Sequence, residues 1–168
     1  MLYRTLNNAM ELEKFNKFIQ SIPENCNEKL TIYLDGVGGD LSILFKYLDF
    51  IENYPSEISI VVTEKVVSSD FLLFILSRSK KRTSPMAIGY WHKAFASEIN
   101  LSLNKEISKE RNRTIDVVNK VNLYLESKVL SLFSSEEITQ YNANEDVYLD
   151  SLRMNEIAHK AEELFFKY

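Results

Sequence analysis

The sequence is poor in cysteine, proline and glycine, with one, three and four of them in 168 residues. A single thiol, Cys26, excludes an intramolecular disulfide and a thiolate metal cluster. With so few prolines and glycines there is no Ser/Gly-rich linker, and no internal repeat or low-complexity segment interrupts the chain, which reads as one unit. A basic excess is missing too. The net charge is −4, the opposite of the balance that a nucleic-acid-binding domain carries. One local basic cluster, "RSKKR" (78–82), reads as solvated surface. No apolar run reaches the roughly 20 residues of a membrane-spanning helix. The opening "MLYRTLNNAMELEKF" has no apolar signal-peptide region. These absences set the expectations: a cytoplasmic protein with no metal, no cofactor, no nucleic-acid partner and no membrane contact.

The sequence does carry enough apolar residues for a core: 45% are apolar and 26% charged, ordinary for a globular domain. Residues 7–22 place Met10, Leu12, Phe15, Phe18 and Ile19 near helical spacing, with Asn7 or Asn8 as the cap and Pro23 as the stop. "KLTIYLD" (29–35), "EISIVVTEKVV" (57–67) and "PMAIGYWH" (85–92) read as strands. Between them, "LSILFKYLDFIENY" has helical periodicity and "DFLLFILSRS" reads as a short buried helix. A long helical tract follows His92, with Val118, Val121, Leu125, Val129 and Leu132 on one stripe. The chain closes with helices around an extended "DVYL". Strand and helix alternate, so the expected class is α/β, with right-handed crossovers between parallel strands.

Four features sit at the ends of these core elements. Gly38 and Gly39 lie between a strand and a helix, where glycine permits positive φ and lets backbone N–H groups approach a ligand. Taken alone, such a pair is most often a tight turn. Ser68 and Ser69 lie at a second strand–helix junction. A nucleophile there has its oxygen near helix N–H donors, and an ordinary helix cap uses the same residues. His92 closes a strand, where it can act as a general base or simply form a polar strand end. Asp146 precedes the extended "VYL", where it can orient a histidine. His159 lies on a polar helix beside Lys160 and Glu162 and reads as surface.

The order glycine pair, serine, histidine, aspartate resembles the Clp protease proteolytic subunit family, serine peptidases of the crotonase-like fold. Four stretches carry the resemblance: "IYLDGVGGD", "TEKVVSSDFLLF", "KKRTSPMAIGYWHKA" and "NEDVYLDSLRMNEIAHKA", covering residues 30–161. It implies a ClpP/crotonase-like fold built from repeated β-β-α units, with a long handle-like helix outside the core. The chain divides accordingly into an N-terminal helical segment (1–28), the core sheet and helices (29–93), the handle region (94–140) and a C-terminal element (141–168).

Residue by residue, the resemblance implies Ser68 as nucleophile, His92 as base and Asp146 as its orienting acid. The backbone N–H groups of Gly39 and Ser69 would form the oxyanion hole, supported by Gly38. It further implies an ATP-dependent endopeptidase acting on polypeptides, a homo-oligomeric ring (a heptamer in the family, with rings stacked through the handle) and an AAA+ ATPase unfoldase as partner. The sequence departs from the family's pattern at Val37, at Val66 and Val67, and after the histidine, where "FASEINLSLN" (95–104) replaces a glycine-rich strand. Asp70 stands where the family has glycine, and an ionised carboxylate there would oppose an oxyanion forming nearby. Two other readings remain open at this point: a catalytically degenerate scaffold or regulatory subunit, and a crotonase-like binder of acyl thioesters.

Overall fold

The computed structural model describes residues 1–94 and 105–166. The chain divides into two compact units, one of Met1–Trp91 with Asp146–Tyr168 and one of His92–Glu145.

In the first unit, strands β1 (Leu2–Asn7), β2 (Leu30–Gly36), β3 (Ile58–Val67), β4 (Lys80–Thr83), β5 (Ile88–Trp91) and β6 (Val147–Leu149) form one sheet. Its order is β1-β2-β3-β5-β6, with β4 also paired to β3. Every pairing is parallel except β5 with β6. Parallel neighbours need a crossover, and α1 (Leu12–Gln20), α2 (Leu41–Asn53) and α3 (Ser69–Leu76) supply them. The ten-residue β3 has β2 along one edge. Its other edge is shared, first by β4 (Ser59–Val62 against Lys80–Thr83) and then by β5 (Lys65–Val67 against Ile88–Tyr90).

Alternation builds the core. Leu30, Ile32 and Leu34 of β2 and Ile58, Ile60 and Val62 of β3 are buried, while the residues between them are only half-buried. The helix α3 touches α2, β2, β3, β5 and the last helix of the chain. That explains its composition: every residue but the last is buried, including Phe71, Leu72, Leu73, Phe74 and Ile75. Each such side chain contributes roughly 1.5–3 kcal/mol of transfer free energy, so the N-terminus of α3 rests on a rigid base.

The second unit holds α4 (Lys105–Val129), a 3-10 turn (Leu130–Leu132) and α5 (Ser135–Asn142). A reciprocal capping box starts α5: Glu137 N–H donates to Ser134 Oγ, and Ser134 N–H donates to Glu137 Oε2. The side chain of Asn122 grips the backbone of Ala94, accepting its N–H at 2.8 Å and donating to its carbonyl at 3.0 Å. The final helix, α6 (Ser151–Phe165), returns to the first unit, with Asp150 as its cap.

One expectation is corrected. The segment 1–28 begins with a strand, β1, and its helix starts only at Leu12. Neither Asn7 nor Asn8 caps that helix; Glu11 holds the cap position without a side-chain bond. Residues 80–82 of the basic cluster belong to strand β4; Arg78, Lys80 and Arg82 are exposed, as a solvated run is, and only Lys81 is half-buried. Lys80 pairs with Glu57 at 2.7 Å, and Lys81 donates to the carbonyls of Ser77 (2.8 Å) and Ser79 (3.0 Å). Burial lowers the Lys81 pKa to about 8, against the opposing pull of Glu162.

Candidate active site

The junction between β3 and α3 is a sharp turn. Val67 ends β3 opposite Tyr90 of β5, and Ser68 N–H donates to the Tyr90 carbonyl at 2.9 Å. Ser68 then takes φ 55° and ψ −120°, a conformation that costs a non-glycine residue on the order of 1–3 kcal/mol. Its carbonyl accepts from Leu72 N–H at 3.0 Å, starting α3 at once. The Ser68 side chain occupies the cap position but makes no capping bond. It is half-buried, whereas Ser69 and Asp70 are both 0% exposed.

Against this turn lies the glycine pair. Gly38 has φ 84° and Gly39 φ 148°, both in the region that favours glycine. The approach is close: a Cβ on Gly38 would lie 2.7 Å from the Val67 carbonyl oxygen and 2.8 Å from Ser68 Cβ. Three successive amides of this loop each donate to a side chain from elsewhere. Val37 N–H goes to Asn8 Oδ1 (3.2 Å), Gly38 N–H to Asp70 Oδ2 (2.8 Å) and Gly39 N–H to Ser69 Oγ (2.8 Å). The Ser69 hydroxyl also donates back to the Gly39 carbonyl at 3.1 Å. Asp40 follows as the cap of α2, accepting Ser42 N–H at 2.7 Å.

Asp70 therefore aims its carboxyl at the loop amide. Burial raises its pKa from 3.8 to about 6. The Gly38 N–H bond opposes that rise, the Asp35 carboxylate adds to it, and Lys14 and the Ala9 N–H oppose it. Gly36 makes room for the carboxyl, because a Cβ there would collide with Asp70 Oδ2.

His92 directly follows β5 and is half-buried; it is the first residue of the second unit. Asp146 is exposed and directly precedes β6, whose Val147 pairs with Trp91. Ser68 and Asp146 belong to the first unit and His92 to the second. Each thus borders one of the neighbouring strands β3, β5 and β6. His159 is exposed and pairs with Glu163 at 3.3 Å. Among the described residues no group of His, Cys, Asp and Glu could hold a metal ion. No helix among them is long and apolar enough to cross a membrane. The segment 95–104, expected to replace a substrate-lining strand, lies outside the described residues.

No protein-family model matches the sequence, and none of the curated proteins compared with it is similar in sequence. In structure the chain is similar to a ClpP1 mutant from Listeria monocytogenes, with a TM-score of 0.62 over 94% of this chain and 86% of that one, at 19% identity. The fold is ClpP-like. At that identity the likeness concerns the fold alone. The ClpP-like frame brings β3, β5 and the glycine turn to one junction. The side-chain partners of Val37, Gly38 and Gly39 carried no local sequence signal. Asn8 looks like a helix cap, and Ser69 and Asp70 look like first-turn residues of a helix.

Proposed function

We propose that the chain is a ClpP-like serine peptidase subunit that hydrolyses peptide bonds through Ser68, His92 and Asp146. The observation that carries this reading is the strained turn at Ser68 with the Gly38–Gly39 loop packed directly on it. Ser68 takes a positive φ between a strand and a helix, and its hydroxyl makes no capping bond, which suits a nucleophile at this junction. Ser69 is the poorer nucleophile, because its buried hydroxyl both accepts from and donates to Gly39.

In this reading Ser68 Oγ attacks the scissile carbonyl carbon and its proton passes to His92. The carbonyl oxygen becomes an oxyanion held by the backbone N–H groups of Gly39 and Ser69. The C–N bond then breaks, the leaving amine takes the proton from His92, and Ser68 keeps the acyl group as an ester. Water, deprotonated by His92, attacks that ester and releases the carboxylic acid and free Ser68. Asp146 holds the imidazole orientation and stabilises its cation. For Gly39 N–H to serve, the Ser69 hydroxyl must turn away from it, which adds a step before attack. An oligomeric ring, polypeptide substrates, an AAA+ ATPase partner and a cytoplasmic location belong to this same reading.

A second reading, a non-catalytic ClpP-like scaffold, rests on that same Ser69–Gly39 contact, since a donor already engaged does not stabilise an oxyanion. Labelling with a fluorophosphonate or β-lactone probe separates the two. The peptidase reading expects wild-type labelling that Ser68→Ala abolishes and Ser69→Ala retains. A folded protein that never labels favours the scaffold. Labelling lost only in Ser69→Ala would move the nucleophile by one residue.

A further inference from the structure

The Gly38–Gly39 loop has no rigidity of its own, since glycine gives up more conformational freedom on ordering than any other residue. What fixes it must be outside it. Asp70 qualifies by position and by chemistry. It is fully buried one residue beyond Ser69 on α3, the most firmly packed helix of the first unit. Its Oδ2 accepts the Gly38 N–H at 2.8 Å, and the side chain fits only because residue 36 is glycine. A hydrogen bond to a charged acceptor is about twice as strong as a neutral one.

We infer that Asp70 is a positioning residue: it ties the glycine loop to the helix that carries Ser68, so that nucleophile and oxyanion donor keep one geometry. The inference rests on the peptidase reading for its catalytic meaning, but the tie itself does not depend on it. The carboxyl that the family resemblance sets against the oxyanion is turned toward the loop amide and takes part in building the donor site.

The charged and titratable groups facing Asp70 are the carboxylate of Asp35 from β2, the ammonium of Lys14 from α1 and the buried phenol of Tyr47 from α2, with the amides of Gly38 and Ala9. Asp35 disfavours the charged form and Lys14 favours it. The tie therefore weakens as Asp70 takes up a proton, at about pH 6.

The test uses the whole chain, labelled with 15N, in wild-type, Asp70→Asn and Asp70→Ala forms. The Gly38 amide resonance should titrate with a midpoint near 6 in the wild type and stay flat in both variants. Asn keeps an oxygen acceptor of the same size, so Ser68 labelling by the fluorophosphonate should remain within a few-fold of wild type at about pH 8. Ala removes the acceptor and should slow labelling about 10-fold or more, the scale on which misplaced catalytic groups act. Equal labelling in Ala and wild type would overturn the inference, and so would a Gly38 amide that ignores Asp70. A wild type that titrates at Gly38 but never labels would leave the tie standing and overturn the peptidase reading instead. If Asp70→Ala fails to fold, the Gly38 titration in wild type against Asp70→Asn decides.

Discussion

The Ser69 hydroxyl sits on both polar groups of one residue, accepting the Gly39 N–H at 2.8 Å and donating to the Gly39 carbonyl at 3.1 Å. The amide expected to receive a substrate oxygen is thus satisfied from within the chain. Ser69→Ala removes both bonds at a buried position. It should lower stability by about 1–2 kcal/mol, measured by urea unfolding. It should also free the donor, so labelling of Ser68 should become faster by a few-fold in stopped-flow or gel-based kinetics. Slower labelling in a folded Ser69→Ala protein would show that the hydroxyl supports the site instead of occupying it.

Ser68 illustrates a different tension, since its backbone angles suit glycine. Ser68→Gly should raise stability by about 1 kcal/mol through relief of that strain, even after the entropy that glycine adds to the unfolded chain. Ser68→Ala should bring no such gain. Both should abolish labelling. Thermal unfolding of the two variants side by side is the check, and a Gly variant no more stable than Ala would mean that the turn is not strained.

Asp70 carries a pH signature in stability. Its folded pKa, about 6, lies above the ordinary value of 3.8, so the folded chain binds that proton more tightly than the unfolded chain does. This contribution is fully present below pH about 4 and is lost as pH rises through about 6. Above that range the buried charge costs about 3 kcal/mol relative to low pH. Asp70→Asn removes the dependence. The stability of Asp70→Asn relative to wild type should therefore increase between about pH 4 and pH 6.5 and level off above that in urea titrations. A difference that stays constant with pH would contradict the assigned shift.

The long helix α4 offers a test of assembly. Its tract is apolar on more than one side. Leu125 and Val129 are buried, as are Leu132 and Phe133 beyond its end, but Val117 and Leu123 are 59% and 66% exposed. If this face meets another copy, Leu123→Glu should shift the protein to a smaller species in size-exclusion chromatography with light scattering, with its helical circular dichroism retained. A wild-type monomer would remove the ring from the proposed function.

Legibility from sequence followed burial. The strands β2, β3 and β5 and the helices α2 and α3 were readable because their apolar residues recur with the right period and their ends carry turn residues. β1 was missed because it is an edge strand with only Leu6 buried, and Asn7 and Asn8 after it imitate a helix cap. Asn8 instead turns with φ 51° and gives its side chain to the Val37 amide. β4 was missed because "KKRT" offers only Thr83 as a strand former. Its pairing with β3 forms it, and Lys81 is accommodated by carbonyls and by the Phe166 ring 4.7 Å away. At the candidate site the junctions were legible, since Gly38, Gly39 and Ser68 mark strand–helix transitions. The partners of the loop amides were not, because Asp70 and Gly38 stand 32 residues apart and meet only after β3 has paired with β2.

The contact between Gly36 and Asp70 also constrains descent. Any side chain at 36 would occupy the space of the Asp70 carboxyl, and shortening residue 70 would strand the Gly38 amide. Neither position can drift first without loss, so the pair should be inherited together. Among divergent relatives, a chain with a side chain at the position of Gly36 should lack the acid at that of Asp70, and its glycine loop should be anchored by some other group.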